Sequence, residues 1–192
     1  MLGDAGVGKT SLVRMFATGQ FDMNQPSTIG ASFLSKSVSE AAVEYKLQIW
    51  DTAGQEKYMS LSEMYTRNTD CLVMVYNVNS RKSFERAVEF WHSSVTSKPK
   101  KRILIGNKTD LEGREVSSQE GREAADRLGY HFYELTAQSQ ADVDDAFHKL
   151  VFRSFMSRDT GLRMLLTKHK PKTGALNTVP EGPFSHLLSY LH

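Results

Sequence analysis

The chain has 192 residues and a mass of 21.6 kDa, enough for one domain or one domain and a tail, with 40% apolar and 10% aromatic residues for a core. Its net charge of +2 is too small to argue for nucleic acid, so no nucleic-acid partner is expected. The single cysteine, Cys71, excludes an internal disulfide framework, and no apolar run approaches about 18 residues or resembles a signal peptide, which points to a cytosolic protein.

Gly3, Asp4, Ala5, Gly6, Val7, Gly8, Lys9 and Thr10 match the phosphate-loop pattern G-x-x-x-x-G-K-[ST]. The glycines let successive backbone N–H groups turn inward toward phosphate oxygens. Lys9 can place an ammonium on the β- and γ-phosphates, and the Thr10 hydroxyl can ligate Mg²⁺. Leu12, Met15 and Phe16 give helical spacing up to Gly19, so a helix N-terminus aims at the same anion.

Residues 21–30 then read as loop. Residues 31–39 and 43–50 read as two strands of a hairpin, the second alternating well. Residues 51–70 show no clear period. Residues 71–76 form a nearly continuous apolar run, as expected of a strand covered on both faces; Cys71 within it reads as a structural thiol. A helix is predicted over 83–96, a buried strand over 103–105, and a helix over 117–128 opened by the Ser117/Glu120 capping box. A strand over 130–135 and a helix over 141–155 follow. His131 and His148 lie on these two elements without metal-ligand spacing and read as structural or surface residues. This alternation predicts an α/β layered domain with a mostly parallel sheet, whose ligands collect at the carboxyl ends of the strands.

Further short motifs fall at those strand ends. Asp51 can hold Mg²⁺ through water, and the Gly54 N–H can meet a γ-phosphate. Asn107, Lys108 and Asp110 follow another strand. A carboxylate there can accept from N1–H and the 2-amino group of guanine, whereas adenine would leave it unpaired. Thr136, Ala137 and Gln138 follow the last strand, where the Ala137 N–H can donate to guanine O6. Thr28, in the loop, carries a hydroxyl that can complete the metal shell while a γ-phosphate is present.

Together these residues make the chain resemble a small GTPase of the Rab family over about residues 3–156. Thr28-Ile29-Gly30-Ala31-Ser32-Phe33, Leu47 to Glu56 and Met64-Tyr65-Thr66-Arg67 carry the Rab likeness. Ala31-Ser32-Phe33 and Gln55-Glu56-Lys57-Tyr58 lean toward the endosomal Rabs. The resemblance implies a phosphate-loop GTPase domain over 1–156, with helices on both faces of the sheet, and a variable, flexible tail over 157–192. That tail carries five basic and two acidic side chains. It further implies GTP/GDP and Mg²⁺ as ligands, slow GTP hydrolysis without an activating protein, and a role in vesicle traffic at endosomes or other endomembranes. By position, residues 3–10 and Ser11 would bind phosphate, Phe21 would stack on guanine, and Thr10 and Thr28 would ligate Mg²⁺. Gln55 would orient the attacking water, with Lys9 beside it in catalysis. Phe33, Trp50 and Tyr65, with the mobile loops, would meet effectors, exchange factors and activating proteins.

Some residues depart from the family pattern. Thr136-Ala137-Gln138 stands where Ser-Ala-Lys is usual, which predicts weaker nucleotide affinity with guanine preference kept. No cysteine follows Cys71, so the usual prenyl anchor is not expected; the preferred reading is a monomer with a solvated tail. Met1 and Leu2 supply two residues where a central strand needs about five. The expectation is an N-terminally shortened product, marginally folded, whose first central strand, between the Trp50 and Cys71 strands, is largely missing. An alternative is a GTPase-like binding module with weak nucleotide affinity, or a truncated isoform with little activity; an ATP-using enzyme is opposed by Asp110.

Overall fold

The computed structural model describes residues 1–40, 43–54, 66, 69–95, 99 and 101–155. The described residues all lie within the first of two units, Met1–Arg158; the second is Asp159–His192. The second unit and the predicted tail lie outside the described residues, as do Gln55 and Tyr65.

Helix α1 (Lys9–Thr18) is closed by Gly19 in the left-handed conformation, whose N–H returns to the Met15 carbonyl. Strands β1 (Ala31–Glu40) and β2 (Val43–Thr52) pair antiparallel, from Ala31 opposite Thr52 to Glu40 opposite Val43. Strands β3 (Cys71–Asn77), β4 (Lys101–Asn107) and β5 (His131–Glu134) form a parallel three-stranded sheet in that order. Parallel neighbours need crossovers. Helix α2 (Arg81–Arg86), with its continuation, links β3 to β4; helix α3 (Ser118–Leu128) links β4 to β5. Helix α4 (Gln140–Phe155) follows β5. Ser117 and Glu120 form the predicted capping box at the start of α3.

The apolar run of β3 is explained by its position. Leu72, Met74 and Tyr76 point to one face, where Phe84, Val88, Trp91, Ala124 and Ala125 cover them. Val73 and Val75 point to the other, under Leu12, Phe16, Val143 and Phe147. On that second face the rings of Phe16 and Phe147 stack at 4.3 Å and 12°, joining α1 to α4. Helices therefore lie on both faces of the sheet.

Among the described residues, Met1 and Leu2 lie between β2 and β3. The Met1 nitrogen donates to the Trp50 carbonyl (2.5 Å), and Thr52 Oγ1 donates to the Met1 carbonyl (2.6 Å). On the other side the Leu2 N–H donates to Val73 (2.8 Å), and the Leu2 carbonyl accepts from Val75 (2.9 Å). Leu2 makes a single parallel bridge to Met74 and is buried in the core. Among the described residues the two sheets meet through this pair, which delivers the chain directly into Gly3.

The helix predicted over 83–96 differs from the one observed. After α2 the chain widens into a π-helical segment, Ala87–Trp91, and the His92 N–H reaches back to the Ala87 carbonyl. Periodicity shows the apolar face, not this change of pitch.

Candidate nucleotide site

Residues 3–8 form the loop that runs from Leu2, bridged to β3, into α1. Gly8, the residue before α1, has φ 97°, and a Cβ there would lie 2.2 Å from Asn107 Nδ2, so the turn requires glycine. Gly8 also offers α1 no side-chain cap. The first N–H groups of α1, including those of Lys9, Thr10 and Ser11, lack intrahelical partners and carry the positive end of the helix dipole. An anion satisfies both.

Lys9 is 5% exposed, and its ammonium donates to the carbonyls of Gly3 and Asp4, each at 2.7 Å. Beside it, three side-chain oxygens converge. Thr10 Oγ1 donates to Asp51 Oδ2 at 2.6 Å. It has one proton, so the Thr28 hydroxyl, also at 2.6 Å, donates to it. Asp51 is 1% exposed, and its Oδ1 is buried with no hydrogen-bond partner among the described residues. Burial raises the Asp51 pKa; the Thr10 hydrogen bond opposes that shift. A buried carboxylate oxygen left unpaired among hydroxyls fits a hard cation with oxygen ligands, which is the preference of Mg²⁺. Gly54, two residues after β2, packs so tightly that a Cβ would lie 2.2 Å from the Ala5 nitrogen and the Asp4 carbonyl carbon. Its neighbour Ala53 donates to the Gly30 carbonyl at 2.7 Å, which ties the loop carrying Thr28 to the end of β2.

At the other end, Asn107 is 1% exposed and ties the phosphate loop to the loop after β5. Its Nδ2 donates to the Val7 carbonyl (2.8 Å), and its Oδ1 accepts from the Ala137 N–H (3.1 Å). That N–H, expected to be directed at a guanine carbonyl, is engaged by Asn107 in this structure. Lys108 sits at φ 67°, its carbonyl held by Asn79 Nδ2 (3.1 Å). Asp110 is exposed, and its Oδ2 accepts from Gln138 Nε2 at 2.7 Å. Thr136 Oγ1 accepts from the Gln138 N–H at 3.2 Å. Phe21 stands 37% exposed on the loop after α1.

The Ras family model matches residues 1–155. The chain is 41% identical over 153 residues to Ras-related protein Rab-2B of Dictyostelium discoideum, spanning 78% of this chain and 75% of that one. It is 41% identical over 157 residues to Ras-related protein Rab5 of Nicotiana tabacum (80% and 78%), and 43% over 155 residues to Ras-related protein Rab-42 of Mus musculus (77% and 72%). The chain is a small GTPase of the Rab family. This Rab binds guanine nucleotide, hydrolyses GTP, associates with endomembranes and regulates membrane trafficking through regulators and effectors.

The Rab's exposed aromatic pair lies on the hairpin. Phe33 (49% exposed) and Trp50 (38%) face each other with ring centroids 5.0 Å apart. Cys71 is free, and burial pushes its thiol up to about 11, consistent with the structural role expected of it. His131 and His148 are exposed, and among the described residues no His, Cys, Asp or Glu cluster is arranged to hold a metal. No helix among the described residues is long and apolar enough to cross a membrane.

Several site contacts had no local sequence signal. Asn107 spans 100 residues to Val7, and Gln138 reaches back 28 to Asp110. Asp4 Oδ1 accepts from Trp91 Nε1 (2.7 Å) and Arg86 Nε (2.8 Å), contacts 87 and 82 residues apart in the chain.

Burial holds the Lys9 ammonium down to about 8, against 10.5 when solvated; Asp51 and Asp4 partly offset the shift. Between those values the unfolded chain binds more protons, so the nucleotide-free domain gains stability as pH rises from about 8 and has lost that gain below it. A polyphosphate beside Lys9 favours the ammonium. Nucleotide binding at about pH 9 should therefore take up a proton. Calorimetry in buffers of differing ionisation enthalpy reads that uptake, and an enthalpy independent of buffer would contradict it.

Proposed function

We propose that the guanine nucleotide lies with its phosphates on residues 3–11, its Mg²⁺ among Thr10, Thr28 and Asp51, and its base against Asp110. The observation that carries this reading is the convergence of three oxygens, with Asp51 Oδ1 unpaired, next to the buried Lys9 ammonium. Bound Mg²⁺ would neutralise charge on the β- and γ-phosphates. Lys9 exchanges its two carbonyl partners for phosphate oxygens. Thr28 and the Gly54 N–H hold their loops while a γ-phosphate is present and release them after hydrolysis, which is the switch. Gln55 orients the attacking water. Asp110 leaves the Gln138 amide and accepts from the guanine edge, with Phe21 against the ring. Asn107 holds the phosphate and base loops in one register, and the Ala137 N–H shifts from Asn107 toward guanine O6.

Phe33, Trp50 and Tyr65 form the aromatic surface read by effectors, and residues 157–192 form a basic tail outside a GTPase domain of 1–156. The Ala31-Ser32-Phe33 and Gln55-Glu56-Lys57-Tyr58 stretches, with the similarity to a tobacco Rab5, support an endosomal site of action. Removing Mg²⁺ with EDTA should speed release of a fluorescent GDP analogue about 100-fold or more, the effect expected of lost metal ligation. Thr10→Ala should release it nearly as fast with Mg²⁺ present. Release that ignores both changes would remove the metal from this site.

A further inference from the structure

We propose that Arg86 and Trp91 are positioning residues for nucleotide retention, acting through the phosphate-loop carboxylate of Asp4; this rests on the nucleotide placement given above. The phosphate loop carries one acidic residue, Asp4, where the ligand is itself highly negative. An unpaired carboxylate there would repel phosphate. The structure engages one of its oxygens twice: Asp4 Oδ1 accepts from Arg86 Nε at 2.8 Å and from Trp91 Nε1 at 2.7 Å. The Arg86 and Asp4 side chains are 28% and 17% exposed, so the pair is only partly screened by solvent.

The π-helical segment makes this double contact possible. In a regular α-helix residues five apart lie about 140° around the axis, so Arg86 and Trp91 would diverge. Hydrogen bonds from residue i to i+5 wind the turn more widely and bring such residues nearer to one face. The observed bond from the His92 N–H to the Ala87 carbonyl is of that kind. Trp91, 1% exposed, is buried in the core, and the Arg86 guanidinium lies 4.6 Å from the centroid of the Phe90 ring. Trp91 is thus anchored in the core, with Arg86 at the end of the adjoining α-helix.

Asp4 in turn sets the rest of the site. Its carbonyl accepts from Lys9, and its backbone packs against Gly54. Arg86 therefore cancels a charge that would oppose the phosphates, and with Trp91 it fixes the loop that carries the Lys9 partner. Among the described residues, the pair reaches the nucleotide through Asp4.

Release of a fluorescent GDP analogue from the full chain with Mg²⁺ tests this. Arg86→Gln, which keeps most of the side-chain volume and removes the charge, should speed release about tenfold, the scale of one charged hydrogen bond. Arg86→Lys should recover most of the loss. Adding Asp4→Asn to Arg86→Gln should bring release back to within about threefold of Asp4→Asn alone, because no charge then needs cancelling. Trp91→Phe, which keeps an aromatic ring and removes the donor, should speed release about threefold, the lower end for a single hydrogen bond. A merely structural role would leave the double variant as impaired as Arg86→Gln. That result, or parent-like release by Arg86→Gln, overturns the proposal. Lys9→Ala separates the two levels: if it retains nucleotide as the parent does, the placement of the phosphates fails, whatever Arg86 shows.

Discussion

Asp110→Asn should lower GTP affinity by about 100-fold to 10,000-fold and turn base preference toward xanthine. The carboxylate is exposed and, among the described residues, held by the Gln138 amide, so a purine edge with two donors can replace that partner at little cost. An asparagine offers a single acceptor and sets its own N–H₂ against guanine donors, and sites built to hydrogen-bond a group reject a mismatched partner by about 10⁴-fold or more. Xanthine presents a 2-oxo group, to which that amide can donate. Competition of GTP and XTP for the variant, with the parent alongside, reads the switch. Unchanged GTP preference would place the base elsewhere.

Asp51→Asn should change two properties in opposite directions. In the nucleotide-free domain Asp51 is buried with one oxygen unpaired among the described residues, and desolvation disfavours its charged form. A neutral amide keeps an acceptor for Thr10 and removes the buried charge. Relief of about 1–3 kcal/mol should raise the melting temperature of the nucleotide-free protein by several degrees. The same change weakens metal ligation, so affinity for Mg²⁺-nucleotide should fall about 10-fold to 100-fold. Thermal unfolding without ligand, followed by nucleotide titration with Mg²⁺ and with EDTA, separates the two effects. A variant less stable without nucleotide and unaltered in Mg²⁺ dependence would mean that Asp51 is a structural residue.

The residues proposed to hold phosphate and metal are legible because each follows a strand or opens a helix within a short motif. Lys9, Thr10 and Asp51 could be placed at one sheet edge from the order of strands and helices alone. The β3 run and the Ser117 cap were legible for the same local reason. What escaped the sequence is set by packing between distant segments. The π-helical pitch serves contacts of Arg86 and Trp91 to a loop more than 80 residues earlier. The Ala137 N–H has a partner in Asn107, fixed by the spacing of β4 and β5 and not by its own motif. Gln138 is one of the departures that predict weaker nucleotide affinity; in the folded chain it is the partner of Asp110. Trp50 is partly exposed beside Phe33, on the surface that the resemblance implies for it.

The central claim is that one site joins Lys9, Thr10, Thr28 and Asp51 at the phosphate end to Asp110 at the base end. It is tested most directly by mass spectrometry of the nucleotide released from the purified chain, quantified per chain with and without prior EDTA treatment. The account predicts guanine nucleotide at close to one equivalent, retained in Mg²⁺ and lost after EDTA. Adenine nucleotide, or guanine nucleotide whose retention is indifferent to EDTA, would contradict it.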